Sequence, residues 1–340
     1  MRDHEGVPRA ILAAVALIAA AGCGSTHASD VERHLVYVAG ETPSTASVWI
    51  ADVNGSHPRR LGRGSVALLS PDGRTVAVRR RDGIYLLAST GGRARRLTPR
   101  RLRPQAWSPD GETLIATRPA LLAVLELDAI DRRSGRVRVI ASGSVYGFDF
   151  SPDGDKLVYS RAPVSTGEGP CGDQFDLYVT KLAGGTPSRL THDGLGAFPI
   201  WGSSEIAFSR FPGGTTLEDC SAPGIWTIDS DGSHLQPVIP RAPESLATDG
   251  LYGLQPLAWL DGEHILAGIR TGAGNQGAVL DTRSRKLRPL GEFVDEASSD
   301  SRYTVGGGGN DQVVHLAIVR LGDGRRVFLR KNACCPDWNR

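Results

Sequence analysis

From His34 to the C-terminus the chain is a succession of short segments in which apolar and polar positions alternate, separated by turns rich in Gly, Pro, Asp and Ser. Strings such as SVWIADV, GIYLLAS, DLYVTKL and GIWTIDS show the two-residue period and the Val, Ile, Tyr and Trp content of half-buried antiparallel strands. The segments recur with a unit of roughly 40 to 50 residues, a blade-sized period rather than that of most helical repeats. The anchor of the unit is a turn. It reads Leu69-Ser70-Pro71-Asp72-Gly73 in one unit, AWSPDGETLIA around Trp107 in the next and FDFSPDGDKLVYS around Ser151 in a third, with drifted copies at Trp201, Trp259 and Ser298 to Ser301. Pro presets φ at the second position, Asp tolerates the third, and Gly supplies the left-handed residue that lets the next strand fold back.

A second landmark follows each turn after one more strand. It leads through a polar turn to a short final strand, and these final strands are HPRRLG, RARRLT, RVRVIA, PSRLT, LQPVIP, KLRPLG and RRVFLR, seven in all. The turn itself recurs almost unchanged at Asn54-Gly55-Ser56-His57 and Asp231-Gly232-Ser233-His234. With these residues in view the chain resembles the TolB-type propeller repeat, an inner strand ending in W-S-P-D-G, a second strand, a third of D-I-Y/W type and an outer strand ending in R-L-T. The resemblance covers about residues 33 to 340. It implies an all-β propeller, expected to have seven four-stranded blades, and protein partners in the cell envelope.

The first unit lacks an inner strand, because residues 34–40 (HLVYVAG) read as a second strand with nothing before them. The C-terminal ACCPDWN, with Trp338 in the place of Trp107, Trp201 and Trp259, reads as an inner strand that stops where its turn would begin. Pairing of the two closes the ring and removes its open edges.

Residues 1–22 have the layout of an export signal: a charged start, an apolar run from Ala10 to Ala21, then Gly22 before Cys23. Twelve apolar residues are too few for a span, which needs about 20. Ala20-Ala21-Gly22-Cys23 resembles the bacterial lipobox, which implies cleavage before Cys23 and a lipid on its thiol. Residues 23–32 then form a tether, residues 33–340 a single propeller domain, and the protein is expected outside the cytoplasm on a membrane surface.

Export makes disulfides admissible. Cys171 and Cys220 precede the third strands of adjacent blades, in equivalent loops, and are expected to pair. Cys334 and Cys335 are adjacent in the closing strand and point to opposite faces; two packed small residues are favoured over a strained vicinal disulfide.

The net charge of +2 argues against a nucleic-acid partner. It is unevenly spread. Residues 59 to 103 hold thirteen Arg against Asp72 and Asp82, a surplus of eleven positive charges, so the remainder of the chain is net negative by nine. Arg79, Arg80 and Arg81 fall between second and third strands, and Arg100, Arg101 and Arg103 in the link to the next blade, connections that emerge on one face. The two alternatives are a basic sector that holds an anionic polymer, lipid headgroups or an acidic protein, and the solvated sides of strands in an Arg-rich chain.

No nucleophile elbow, P-loop or HExxH string occurs, and Gly306 to Gly309 lacks the Lys-Ser/Thr a P-loop needs and reads as a flexible link. The Asp of the repeated turns (Asp72, Asp110, Asp153, Asp261) stand one per blade and read as turn residues, not calcium ligands. No cofactor or metal is expected. The function expected is that of a monomeric, membrane-tethered binding or scaffold protein, engaging an envelope protein or anionic polymer through loops such as 162–175 and 211–223. The alternative is a propeller-based lyase or hydrolase, which would show a cluster of His or carboxylates at one mouth of the channel.

Overall fold

The computed structural model describes residues 34–40, 45–118, 126–163, 173–212, 222–246, 253–271, 274–294, 296–298, 301–308, 315–331 and 333–338. They form seven four-stranded antiparallel blades. Blade 1 joins the C-terminal strand β28 (Ala333–Trp338) to β1 (His34–Ala39), β2 (Ser47–Asp52) and β3 (Arg59–Arg63). Blade 2 is β4 (Val66–Leu69), β5 (Thr75–Arg80), β6 (Gly83–Ala88) and β7 (Arg95–Thr98). Blade 3 is β8 (Arg103–Trp107), β9 (Thr113–Arg118), β10 (Glu126–Asp131) and β11 (Val137–Ala141). Blade 4 is β12 (Ser144–Phe150), β13 (Lys156–Ala162), β14 (Asp176–Lys181) and β15 (Ser188–Arg189). Blade 5 is β16 (Gly196–Trp201), β17 (Glu205–Arg210), β18 (Pro223–Asp229) and β19 (Gln236–Arg241). Blade 6 is β20 (Gly253–Trp259), β21 (His264–Thr271), β22 (Gly274–Asp281) and β23 (Lys286–Phe293). Blade 7 is β24 (Glu296–Ala297), β25 (Tyr303–Gly308), β26 (His315–Arg320) and β27 (Arg326–Lys331).

Ring closure follows the expected route. Strand β28 pairs antiparallel with β1, Leu35 opposite Trp338, Val36 opposite Asp337 and Ala39 opposite Ala333. The glycine run departs from its reading as a link: Gly306, Gly307 and Gly308 continue β25 and pair with Ala317, Leu316 and His315. A ladder partner supplies what the residues themselves lack in strand propensity.

The core is divided among the joints between blades. Because successive side chains on a strand point to opposite faces, each inner blade strand serves two joints. On β1, Val36 and Val38 pack with Ala67, Val76 and Val78 of blade 2, while Leu35 and Tyr37 pack with Val305, Leu316 and Ile318 of blade 7. On β9, Leu114 and Ala116 face blade 2 and Ile115 faces blade 4. This is why β1 and β9 each bury four consecutive residues.

The repeated turn is held by its own side chains. In blade 2 the Ser70 hydroxyl donates to Asp72, accepts the N–H of Thr75 (2.9 Å), and Asp72 accepts the N–H of Arg74 (3.0 Å). Gly73 closes the turn at φ 68°, and blades 3 and 4 repeat the arrangement at Ser108 and Ser151. The Ser151 hydroxyl and the Asp155 N–H hold the Asp153 carboxyl below its ordinary range. These carboxylates are occupied as turn residues.

Antiparallel order puts the turns between first and second and between third and fourth strands at one end of the ring. The second-to-third loops and the links between blades lie at the other. Outer-strand arginines bind blade to blade at the turn end. Arg59 donates to Ser89 and Thr90 carbonyls of blade 2 (2.6 and 3.0 Å), Arg95 to Arg132 of blade 3 (2.7 Å), Arg138 to Leu182 of blade 4, and Arg288 to Leu321 of blade 7 (2.8 Å).

Candidate binding site

The last residues of the inner strands of blades 2 to 5, Leu69, Trp107, Phe150 and Trp201, each stand just before a turn, and all four line one cavity. That cavity, of about 450 Å³, is lined by residues of blades 1 to 5. Its wall is built from Trp107, Phe148, Phe150 and Trp201, and Pro71, Pro109 and Pro152 of the repeated turns stand at its mouth. Trp107 is fixed by donation from Nε1 to the Leu68 carbonyl of blade 2 (3.3 Å), and Phe148 meets Phe150 edge to face at 6.3 Å.

Two carboxylates line the same cavity from the position one residue earlier on their strands. Asp149 accepts the N–H of Trp201 in blade 5 (2.8 Å), and Asp337 accepts the N–H of Leu69 in blade 2 (2.7 Å). Both tie one inner strand to the next, so they stabilise the ring as well as giving the wall negative charge. Gln105 donates to the Thr117 hydroxyl (2.8 Å). Deeper along the axis β12 and β16 are irregular: Gly147 has φ 77°, Phe198 has φ 54°, and both strands bulge there. A Cβ on Gly147 would lie 3.0 Å from the Phe198 Cα, so only glycine admits this approach. A non-glycine residue held in the left-handed region is a strained element beside the channel.

The wall offers an aromatic surface to apolar groups, and its two carboxylates already accept backbone N–H groups of neighbouring blades. Among the described residues no group of three or more His, Cys, Asp or Glu is placed to hold a metal ion.

The sequence-predicted residues lie elsewhere. Cys23, Cys171 and Cys220 fall outside the described residues. Arg79 and Arg80 end β5, Arg81 forms the turn, Arg100 and Arg101 lie in the link, and Arg103 begins β8. The turn abuts the link, since a Cβ on Gly83 would sit 2.1 Å from the Thr98 carbonyl oxygen. All six arginines are thus in one sector of the loop end. Arg80 is engaged by the Arg63 carbonyl (3.3 Å) and the Tyr85 ring (4.6 Å). The side chains of Arg79, Arg81, Arg100, Arg101 and Arg103 have no partner among the described residues. Other arginines of the same stretch, Arg59, Arg60, Arg95 and Arg96, hold carbonyls or hydroxyls of the fold.

The channel cavity was not predicted as a site. Its signal was the residue class before each turn: Trp, Phe or Leu where the copies align, with an Asp one place earlier at Asp149 and Asp337.

No known protein-family profile and no curated protein sequence matches the chain. Solved structures do. TolB from Acinetobacter baumannii aligns over 91% of this chain and 67% of its own at 17% identity, with a TM-score of 0.53. The β-propeller domain of the Trilobed protease from Pyrococcus furiosus aligns over 87% and 94% at 11% identity, with a TM-score of 0.62. Oligogalacturonate lyase from Vibrio parahaemolyticus aligns over 88% and 84% at 14% identity, with a TM-score of 0.56. At such identities the likeness concerns the fold, and by fold and by repeat this chain is a seven-bladed β-propeller consistent with the TolB type.

Proposed function

We propose that the chain is an exported, lipid-anchored binding propeller that takes a segment of an envelope protein into its channel mouth. The observation that carries this reading is the wall of Trp107, Phe148, Phe150 and Trp201, an apolar recess opening among short, rigid turns. The carboxylates there favour binding over acid-base catalysis, because Asp149 and Asp337 are each engaged by a backbone N–H of the next blade. Cys23 carries the lipid, residues 24–32 span the gap to the membrane, and a Cys171–Cys220 disulfide ties two loops of the opposite end. Arg79, Arg81, Arg100, Arg101 and Arg103, whose side chains have no partner among the described residues, supply a secondary contact to an anionic polymer or lipid headgroups.

Crosslinking in intact cells tests the reading. Wild-type protein should capture one envelope protein from the membrane fraction, and Phe148→Glu should lose it while keeping its melting curve. Equal capture by both would overturn the channel assignment. Cys23→Ser should release the protein from membranes; retention in the membrane fraction would remove the anchor.

A further inference from the structure

At the turn end of three joints between blades, one equivalent residue fills the space between the turns of the two neighbours. That residue is the first after the third strand, and its N–H bonds to a carbonyl in the first turn of its own blade. In the joint of blades 3 and 4 it is Leu182, packed in the apolar layer; in that of blades 6 and 7 it is Leu321, 4% exposed. In the joint of blades 2 and 3 it is Arg132. Its guanidinium donates to the Thr75 hydroxyl (2.6 Å) and the Gly111 carbonyl (3.2 Å), lies 5.5 Å from the Trp107 ring centre, and stands 3.7 Å from Asp72.

In the joint of blades 5 and 6 the equivalent residue is Thr282, whose N–H bonds to the Glu263 carbonyl as that of Arg132 bonds to Glu112. Its hydroxyl turns back onto the same carbonyl (2.9 Å), and a notch of about 320 Å³ stays open. The walls keep the plan of the filled notch. Trp259 holds the place of Trp107, and Gly262 that of Gly111. A Cβ on Gly111 would lie 3.3 Å from Arg132; one on Gly262 would meet nothing within 4 Å. The Trp259 Nε1, unlike that of Trp107, is buried without a hydrogen-bond partner among the described residues.

One wall residue has changed in a telling way. Where Thr75 accepts from Arg132, blade 5 has Glu205, half-buried and lining the notch, its carboxylate without a hydrogen bond or ion pair among the described residues. Across the ladder Glu205 faces Asp229, whereas Thr75 faces Ala88, so a second carboxylate, itself paired with His234 (2.8 Å), stands beside it. The protein's own cation is gone and a carboxylate has been added. Of the cations on the neighbouring turn, Arg283 is committed to Glu263 (2.5 Å), and Arg285 also lines the notch, exposed.

We infer that the notch between blades 5 and 6 is a second binding site, which accepts a guanidinium group from outside the chain in the place that Arg132 fills between blades 2 and 3. The ligand's planar cation lies against Trp259 and donates to Glu205 and the Gly262 carbonyl. The site is separate from the channel cavity and its test does not depend on that assignment.

The test follows the six indole N–H resonances of the ¹⁵N-labelled full chain, that of Trp259 being identified with Trp259→Phe, during titration with N-acetyl-arginine amide. The expected result is a saturable shift of the Trp259 resonance alone, at least about tenfold weaker with the neutral isostere N-acetyl-citrulline amide. Glu205→Gln should weaken binding by about tenfold or more. Thr282→Arg, which restores the internal guanidinium, should abolish it in a protein that melts no lower than wild type. Arg285→Ala should tighten it. An alanyl-arginyl-alanine peptide binding more tightly than the single residue would assign the group to a polypeptide partner, and equal binding to a small guanidinium compound. No shift at Trp259, equal binding of the citrulline probe, no effect of Glu205→Gln, or loss of binding in Arg285→Ala, the mark of an anion site, would each overturn the inference.

Discussion

Removing residues 333–340 takes away the inner strand of blade 1 and reopens the ring. Four register pairs with β1 are lost, which at about 1 kcal/mol net for each backbone hydrogen bond comes to about 4 kcal/mol. The charge-assisted bond from the Leu69 N–H to Asp337 adds about 1.5–3 kcal/mol. Leu35, Val36 and Tyr37, fully buried in the intact ring, lose cover on one side, and each large side chain so uncovered costs up to about 1.5–3 kcal/mol. The sum is comparable with the roughly 5–15 kcal/mol that stabilises a whole domain. The truncated chain is therefore expected to have no cooperative thermal transition by circular dichroism. Asp337→Ala, which leaves the Leu69 N–H without its acceptor, should melt several degrees lower, and Asp337→Asn, which keeps an acceptor oxygen, should stay near wild type. A truncated protein with the wild-type melting curve would refute the closure argument.

Three further outcomes follow from particular side chains. Asp128 is fully buried and accepts from Arg118 Nη2 at 3.1 Å; Arg118→Met strands the carboxylate and should cost about 2–3 kcal/mol, the full 3–5 being discounted for the 43% exposure of Arg118, while Arg118→Met with Asp128→Leu should recover most of it in chemical denaturation. Burial pushes the Tyr159 phenol up to about 12, and its hydroxyl has no hydrogen-bond partner among the described residues. Between the unfolded value of 10 and that raised value the unfolded chain releases a proton the folded chain keeps, so this group's contribution is complete below pH 10 and lost as pH rises through the window. Tyr159→Phe should be at least as stable at neutral pH and should flatten the alkaline decline; a markedly lower melting temperature would contradict this. Intact mass after alkylation of the oxidised protein should show Cys171 and Cys220 protected, and labelling of both would dismiss the pairing.

Much of the fold was legible because its information is local. The Ser-Pro-Asp-Gly turn is built by side chains within five residues of one another, so three copies declare themselves and fix the register of the weaker ones. The closing strand was legible because Trp338 stands in the place of Trp107 in an otherwise incomplete unit. What stayed hidden depends on how one blade meets the next. Gly306 to Gly308 have little strand propensity and become strand only through their partners on β26. Asp149 and Asp337 are ordinary acidic residues until the adjacent inner strand presents its N–H to them. The Arg-rich stretch mixed two populations that sequence could not separate, those that clasp a neighbouring blade, such as Arg59 and Arg95, and those such as Arg79 and Arg101 that have no partner among the described residues.

The central claim, that the channel mouth is where a partner binds, is tested most directly by placing a photo-reactive amino acid at single positions and irradiating living cells. At Phe148, in the wall of the cavity, one discrete adduct with an envelope polypeptide is expected, abolished by Trp201→Ala. At Leu235, 40% exposed on the outer edge of blade 5, none is expected. Adduct formation at Leu235 with none at Phe148 would contradict the account.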